Sequence, residues 1–433
     1  MILLALNELN IDYIKGYISQ GKLHNFKHLF ENGLIKTNSE SRYDLLEPWI
    51  QWVTVQTGLD FEEHKVFRLG DIVDRSDLTQ LFEDLESNGL SVGAVSPFNA
   101  SNNLKNPSFF IPDPWTKTTP SGGFLIKKLS KSISNFVNNN SNEQAGFSDA
   151  FWLIIGFLKY VRIKRWFSFY KLLVLRNKPG VKAAILDMIL LEVFVTLQKK
   201  KKPDYSHLFF NGGAHIQHHY IYNSKMYKGD LNNPEWYCKS DWDPLIMILE
   251  TYDRIIGDLL QSGETIMGVT GLNQIPHDKV TFYWRPKNHY NFLKELGVSE
   301  DFEVTPRMSR DFLIETNSVS DALNIHNRLN YFKDSINNKP VFNIDNRGKS
   351  LFIEIVFDKN LDNNTTFIGK NNIIKNLTSK LSFVAIKNGK HHGIGYLFSN
   401  RKIEAPSEIN LSAVYDIIKD TALNEYKNKF NKK

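Results

Sequence analysis

The sequence predicts an α/β fold with a mostly parallel sheet flanked by helices. Strand-like apolar runs alternate with segments of helical spacing, starting with ILLAL at 2–6. Two segments of helical spacing that end at glycines follow this run, and LTQLFEDLESNG at 78–89 then leads directly into the strand-like LSVGAVS at 90–96. Strands and helices that alternate in this way form parallel sheets covered by helices on both faces.

Changes of pattern along the 433 residues divide the chain into five segments. With 42% hydrophobic and 23% charged residues, the composition is that of a globular protein that can bury a sizeable core. The predicted segments are 1–120, the first part of the α/β core; 121–200, a helical insertion; 201–278, the second part of the core; 279–385, a smaller α+β lobe; and 386–433, the C-terminal part of the core.

The composition also excludes several classes of site and partner. Cys238 is the single cysteine, so neither an internal disulfide nor a cysteine-based zinc site can form. The net charge of +6 is modest, and no basic–aromatic pattern favours a nucleic-acid partner. The start of the chain lacks the basic region of a secretory signal, and no long uncharged apolar stretch is present. We therefore expect a cytoplasmic protein without a membrane-spanning helix.

Residues 151–178 are unusual because large aromatic side chains alternate there with lysine and arginine. One interpretation is a helical subdomain whose long basic side chains reach past apolar surface to water. The other is an amphipathic surface that rests on anionic lipid or holds a lipid-linked substrate. The second interpretation places the protein at the periphery of the inner face of the membrane.

Three histidines lie within five positions in GAHIQHHY at 213–220. The segment follows a strand-like run and two glycines, so we expect a loop at the end of a strand. Histidine can bind a metal or transfer a proton near neutral pH. Both roles are open for His215, His218 and His219 on spacing alone.

Five motifs in order along the chain resemble the alkaline phosphatase superfamily, especially its branch of type I phosphodiesterases and nucleotide pyrophosphatases. The resemblance extends over most of the chain and implies an alkaline phosphatase-like fold. The motifs are the opening LLALNELNIDYIKGYISQGKLHNFKHLFENG, PWIQWVTVQTGLDFEEHKVF from 48, GAHIQHHY from 213, YDRIIGDLL from 252 and HHGIG from 391.

In that superfamily two divalent metals, usually zinc, clamp the oxygens of a phosphoryl or sulfuryl group, and a threonine or serine at a helix start is the nucleophile. The acid that follows the first strand of the superfamily corresponds here to Asn7, with Glu8 beside it. The nucleophile falls at or next to Pro48, where the nearest functional side chain is that of Glu47.

The later metal-binding positions are partly kept and partly replaced. The loop aspartate falls on Ala214, its histidine partner on His218 and the late histidine on His391. The aspartate–histidine pair after the next strand falls on Gly271 and Leu272, which cannot bind a metal. The resemblance therefore implies a remodelled site that keeps two imidazoles of the two-metal centre.

Acids, amides and histidines still surround these positions, at strand ends and a helix start where open α/β sheets bind their ligands. We predict that one divalent metal, zinc or manganese, is bound by Glu8, His218 and His391, and we predict no organic cofactor. Glu47 is either a catalytic acid–base group or an N-cap residue of the following helix. The remaining predicted site residues are His215 and Gln274 as catalytic groups and Asn7, Gln51, Asn273 and Arg285 as substrate contacts.

The sequence thus predicts an alkaline phosphatase-like enzyme that acts on a phosphorylated or nucleotide-linked small molecule or glycan. Its reaction is either hydrolysis of a phosphodiester or phosphomonoester, or a transfer step in surface-glycan assembly. The alternative is a catalytically inactive pseudoenzyme that binds a phosphosugar or a glycan. The replaced positions favour this alternative, whereas their polar neighbours favour an enzyme.

Overall fold

A computed structural model of the chain describes residues 1–138, 147–307 and 309–431. Its strands are β1 Ile2–Leu6, β2 Leu34–Asn38, β3 Val92–Val95, β4 Phe109–Ile111, β5 Tyr205–Phe210, β6 Ile266–Val269, β7 Asn273–Pro286, β8 Phe302–Pro306, β9 Asp311–Thr316, β10 Lys333–Asp334, β11 Phe342–Asn346, β12 Ser350–Ile355, β13 Phe367–Ile368, β14 Ile373–Ile374, β15 Leu381–His392, β16 Ile394–Ser399 and β17 Glu408–Asn410.

The α-helices are α1 Ile11–Ser19, α2 His24–Leu29, α3 Pro48–Thr57, α4 Phe61–His64, α5 Leu81–Ser87, α6 Phe124–Asn138, α7 Phe147–Tyr160, α8 Trp166–Val174, α9 Val181–Lys201, α10 Gly212–Tyr220, α11 Pro244–Leu260, α12 His289–Glu295, α13 Val319–Asn330, α14 Leu377–Lys380 and α15 Ala413–Asn431. Short 3-10 helices lie at Tyr43–Leu45, Asp71–Asp74, Ile163–Arg165 and Ile221–Asn223.

The fold consists of two compact units. The larger contains Met1–Asp230, Pro234–Pro276 and the chain from Gly389 onward. The smaller contains Leu231–Asn233 and His277–Asn388, where the sequence predicts an α+β lobe at 279–385. The long strands β7 and β15 pair with each other in a two-stranded sheet.

The larger unit is built on an eight-stranded sheet with the order β17-β2-β16-β6-β1-β5-β3-β4. Every neighbouring pair is parallel except the two that involve β16, which runs antiparallel to both β2 and β6. The predicted fold class, a mostly parallel sheet flanked by helices, is confirmed.

Helices cover both faces of this sheet. Alternate residues of β1 enter different cores, because side chains of a strand point to opposite faces in turn. Leu4 packs in a core with α1, α2, α9 and α11, whereas Leu3 packs in a core with α3, α5 and α15. This burial on both faces explains why β1 is an uninterrupted apolar run rather than an alternating one.

The smaller unit has its own core. A four-stranded antiparallel sheet with the order β11-β12-β9-β8 packs one face against α13. The short strands β10, β13 and β14 form a separate three-stranded sheet. Buried and partly exposed residues alternate along β12, as is typical of a sheet with one covered face.

The segment predicted as a helical insertion, 121–200, contains α6 to α9, while 139–146 lie outside the described residues. Arg162 ties this segment to α11 of the core, because its guanidinium lies 2.8 Å from Asp258, and it also lies 2.5 Å from the buried carboxylate of Glu192 on α9, within the segment. Arg165 also contacts Asp258. No described helix has both the length and the apolar character needed to cross a bilayer.

Candidate functional site

The candidate site lies at the edge of the main sheet where its parallel strands end. Asn7 and Glu8 follow β1 directly, and their backbone N–H groups still donate to Phe210 of β5 and to Thr270 after β6. Helix α10 follows β5, so it starts at the same edge. Because β16 runs antiparallel, His391 reaches this edge just before β16 begins. The fold therefore brings residues from distant parts of the chain to one place.

Three side chains meet there with their donor atoms almost equally spaced. Glu8 Oε2 lies 3.1 Å from His218 Nε2 and 3.2 Å from His391 Nε2, and the two nitrogens are 3.3 Å apart. Among the residues that the structure describes, this is the cluster of three metal-binding groups. Bonds of about 2.0–2.1 Å in a tetrahedron separate neighbouring ligands by about 3.3 Å. The donor atoms that were predicted as metal ligands thus have the spacing that a metal requires.

Glu8 is held in place on several sides. It is buried and has a φ of +57°, a left-handed conformation that few residues other than glycine adopt. Gln217 Nε2 donates to the Glu8 carbonyl at 2.7 Å, and Gln274 Nε2 donates to its carboxylate. Asn7 Nδ2 donates to the second carboxylate oxygen at 3.0 Å. These bonds fix one carboxylate oxygen opposite the two imidazoles.

Burial by itself raises the pKa of the Glu8 carboxyl. The adjacent His391 and His218 imidazoles outweigh burial, since they attract the charged form and bond to it, and they hold this pKa well below its usual range. Glu8 is therefore a carboxylate, the form that binds a metal.

Asn7, beside Glu8, is held in place by hydrogen bonds to Trp52 and Asn211. The Trp52 indole Nε1 donates to Asn7 Oδ1 at 2.7 Å, and Asn7 Nδ2 also donates to Asn211 Oδ1 at 2.8 Å. Both Asn7 and Trp52 are buried. The structure gives Asn7 a supporting contact with Glu8, and the substrate contact that we expect of Asn7 stays a prediction.

The histidine-rich segment is a helix, so the loop expected from the sequence is wrong. Two glycines favour a turn, but here their N–H groups find partners outside the helix. Gly212 donates to Asp187 Oδ2 and Gly213 to the Tyr252 hydroxyl, both at 2.9 Å. These bonds satisfy N–H groups that the first turn of a helix leaves unpaired.

The helical conformation changes what the three histidines share. His215, His218 and His219 stand at positions i, i+3 and i+4, which lie on one face of a helix. The rings of His215 and His219 are 4.8 Å apart, and His215 is exposed. His215 therefore lies next to the donor cluster without belonging to it.

Glu47 precedes α3, whose first residue is Pro48. Glu47 is the N-cap residue of α3, as one interpretation predicted, but its side chain makes no capping hydrogen bond, so the predicted acceptance of backbone N–H groups by its carboxylate is wrong. Instead Glu47 Oε2 lies 3.6 Å from Nδ1 of His391, while Nε2 of that ring faces Glu8. A carboxylate beside the second nitrogen of a histidine is typical of metal-binding histidines, because it orients the ring.

The other predicted site residues divide into three groups. Gln274 bonds to Glu8 and, at 3.1 Å, to the Ala214 carbonyl, which places it directly beside the cluster. Gln51 and Asn273 are buried, and each has a side-chain oxygen without a hydrogen-bond partner in the described residues. Arg285 belongs to the smaller unit, on β7, and its role as an anion contact stays a prediction.

Sequence reasoning missed two supports, Asn10 and Trp52. Asn10 caps α1 with its side chain. Its backbone N–H also donates to Gln217 Oε1 at 2.9 Å. Its amide donates to the Gln274 carbonyl at 2.8 Å. The N-cap position of Asn10 before IDYI was a visible signal, whereas nothing in the sequence connects Trp52 with Asn7.

No protein-family model matches the chain. No curated protein matches it either. Among solved structures, the chain is similar to phosphonoacetate hydrolase from Sinorhizobium meliloti 1021 in complex with phosphonoacetate, with 12% identity, coverage of 98% of this chain and 95% of the other, and a TM-score of 0.44. It is also similar to human ectonucleotide pyrophosphatase/phosphodiesterase 5, with 10% identity, coverage of 98% and 94%, and a TM-score of 0.46.

The murine form of the latter protein, an inactive variant in complex with AMP, matches with 11% identity, coverage of 98% and 94%, and a TM-score of 0.47. These proteins are members of the alkaline phosphatase superfamily, the superfamily that the motifs resemble. At such identities and TM-scores the similarity carries no statement about the reaction, which rests on the residues of this chain.

Proposed function

We propose that Glu8, His218 and His391 bind one divalent metal and that the chain acts there on a phosphorylated or nucleotide-linked substrate. The observation that carries this proposal is the set of three donor atoms 3.1–3.3 Å apart at the carboxyl edge of the sheet.

The donor set fits zinc or manganese. Two imidazoles and one carboxylate form known catalytic zinc sites, and carboxylate and imidazole ligands also suit manganese. Three protein ligands leave at least one position for water or substrate, as catalytic sites require and structural zinc sites do not. The positions Ala214, Gly271 and Leu272 offer no side-chain ligand, so the proposal is limited to one metal.

A divalent metal, when bound, polarises a phosphoryl oxygen or lowers the pKa of water. The chain itself supplies Glu47, which is partly exposed at the start of α3 and beside His391. The positive end of the helix dipole favours its carboxylate form, and it also favours an anionic substrate group. We assign Glu47 the role of the base that takes a proton from the attacking hydroxyl or water.

No hydroxyl side chain stands at Glu47 or Pro48, where the superfamily places its nucleophile. This favours direct attack by water or by an acceptor hydroxyl, without a covalent intermediate on the chain. His215 lies on the same face of α10 as His218 and is the second proposed catalytic group. Desolvation and the neighbouring His218 lower the pKa of His215 to about 4, so its neutral ring is suited to accept a proton or to orient a substrate oxygen near pH 7. Gln274 is assigned a positioning role, because its amide is bonded to Glu8.

A second candidate function is binding without catalysis. It is favoured by one observation: Glu8, His218 and His391 satisfy each other electrostatically, so they form a stable arrangement on their own. In that case the pocket holds a phosphosugar or glycan but does not turn it over.

The proposed substrate is a phosphorylated or nucleotide-linked small molecule or a glycan intermediate of surface-glycan assembly. The proposed location is the cytoplasm, at the inner face of the membrane, with residues 151–178 as the contact. The mixture of aromatic and basic residues in that segment supports this part of the proposal.

The test begins with metal content of the purified protein and of H218A and H391A. We expect about one zinc or manganese per chain in the wild type and its loss in both variants, because each removes one of three ligands. H28A is the matched control, since His28 is exposed on α2 and should not affect the metal. A wild type that holds no metal even after reloading overturns the proposal.

Turnover separates the enzyme from the pseudoenzyme. With saturating metal present, phosphodiester and nucleotide-sugar substrates should be converted, and E47Q should still reduce kcat by about 10²–10⁴-fold. Because Glu47 lies beside His391, E47Q should also weaken metal binding about 10–100-fold, so the comparison is made at saturating metal. Stoichiometric binding of a phosphosugar without turnover would instead establish the binding function.

A further inference from the structure

Helices α7 and α8 expose large apolar side chains at the same helical spacing. On α7 these are Phe151, Ile154 and Leu158, at positions i, i+3 and i+7. On α8 the same spacing recurs with the exposed residues Phe167, Tyr170 and Val174. All six are between 54% and 64% exposed, so each helix presents an apolar stripe to solvent.

The opposite faces of both helices are packed normally. Gly156 of α7 is buried so closely that a Cβ there would lie 2.7 Å from Leu129 of α6. Phe169 and Leu172 of α8 are buried in the main core. The rings of Phe157 and Phe169 are 5.0 Å apart, which joins the two helices. The exposed stripes are therefore additional apolar surface and not a misplaced core face.

Apart from Asp149 in the first turn of α7, the charged side chains of α7, α8 and the turn between them are basic. The sequence from 150 to 186 contains no Asp or Glu. The segment carries exposed basic side chains at Lys159, Lys164, Lys171, Arg176 and Lys178. Lys171 lies over the Phe167 ring at 4.5 Å, so a cation and an exposed aromatic ring occupy the same place on α8.

Two arginines of the segment have a different role. Arg162 and Arg165 pair with the carboxylates of Glu192 and Asp258. These pairs attach the turn between α7 and α8 to α9 and α11. The helices that carry the exposed stripes are therefore fixed to α9 and α11 by these ion pairs.

We infer that the outer faces of α7 and α8 bind the surface of an anionic phospholipid bilayer. Exposed aromatic and aliphatic stripes with lysine and arginine at their borders are typical of helices that lie in the membrane interface. Protein–protein interfaces, by contrast, are depleted in lysine. This inference defines the side chains and the lipid charge of the membrane contact proposed above, and it does not depend on metal binding.

Vesicle flotation tests the inference. We expect the wild type to float with vesicles of phosphatidylcholine and phosphatidylglycerol, to remain behind with phosphatidylcholine alone, and to dissociate as salt is raised. The variant F151S/I154S/L158S should bind at least about tenfold more weakly, because three apolar anchors are lost. K159Q and K171Q should each weaken binding about fivefold.

The controls distinguish the membrane from other occupants. V319S/L323S removes two exposed apolar residues on α13 and should float like the wild type. Thermal unfolding shows whether the α7 variant is still folded. If it is not, F167S/Y170S tests the α8 stripe separately. Metal content should be unchanged in all variants, so failure here is distinguishable from failure of the metal site.

Three results would overturn the inference. The first is flotation of both stripe variants equal to that of the wild type, and the second is a wild type that does not bind anionic vesicles. The third is a wild-type dimer that the stripe substitutions dissociate in light scattering without any vesicle binding, because the stripes would then be an interface between two copies of the chain.

Discussion

Replacing Gln217 by methionine should destabilise the larger unit and weaken metal binding together. Methionine has nearly the volume of glutamine but no amide. Gln217 Nε2 donates to the Glu8 carbonyl at 2.7 Å, and its Oε1 accepts the Asn10 N–H at 2.9 Å. Both partners are buried backbone groups, so neither can turn to water instead.

The magnitude follows from these two groups. A buried polar group left without a partner costs about 1–3 kcal/mol, so Q217M should lower the free energy of unfolding by about 2–6 kcal/mol. Glu8 also loses the bond that fixes its backbone in the left-handed region. Loss of such supporting contacts typically weakens metal binding about 10–100-fold, or about 1.4–2.7 kcal/mol.

Urea unfolding of the metal-free protein measures the first effect, and a competitive zinc titration measures the second. Q261M is the matched control: the same chemical change at an exposed position at the end of α11, expected to stay within about 0.5 kcal/mol of the wild type. If Q217M unfolds at the urea concentration of the control, the account of how Glu8 is held is wrong. If Q217M lowers the free energy of unfolding but binds zinc as tightly as the wild type, Glu8 is not a ligand.

Three further predictions concern the core around the site. W52F removes the donor of Asn7 Oδ1 and should lower the free energy of unfolding by about 1–3 kcal/mol in urea; an unchanged midpoint would mean that this bond contributes nothing. R162M leaves the buried Glu192 carboxylate with weaker compensation and should cost about 3–5 kcal/mol, part of which the added substitution E192Q restores; a neutral R162M refutes the anchoring role. Burial lowers the pKa of His207 from 6.5 to about 3, so the unfolded chain takes up a proton below pH 6.5 while the folded chain does not, and stability falls as pH falls from 6.5 to 3. H207L should therefore lose about 3 kcal/mol less stability than the wild type between pH 7 and pH 4, and parallel pH profiles would contradict this.

The sequence predicted the sheet and the place of Glu8 from local signals, whereas His218 was selected from three neighbouring histidines only through the resemblance. β1 and β5 are apolar runs whose ends are visible, and the carboxyl ends of parallel strands share an edge. A polar residue that directly follows such a run therefore belongs to that edge. His391 was reached through the resemblance and not through its spacing, since β16 runs antiparallel to its neighbours and no local pattern reports strand direction.

The errors have a common physical origin in contacts between distant residues. Helix α10 was taken for a loop because its first N–H groups are satisfied by Asp187 and Tyr252, which lie on other helices. Glu47 was left open between cap and catalytic group because its nearest partner, His391, is far away in the sequence. Trp52 was overlooked because a buried tryptophan in an apolar helix is ordinarily explained by packing alone.

The positions of the three donors in the chain have a consequence for how the protein is made. In the order of the chain, Glu8 comes before His218, and His391 comes only after the whole of the smaller unit. The cluster is therefore complete only when the segment that follows the smaller unit, with β16 between β2 and β6, has joined the main sheet. Contacts so remote in sequence form late and slowly. A bound metal would then report that the three parts of the larger unit that carry Glu8, His218 and His391 have come together, and a chain interrupted before residue 391 could not retain one at this site.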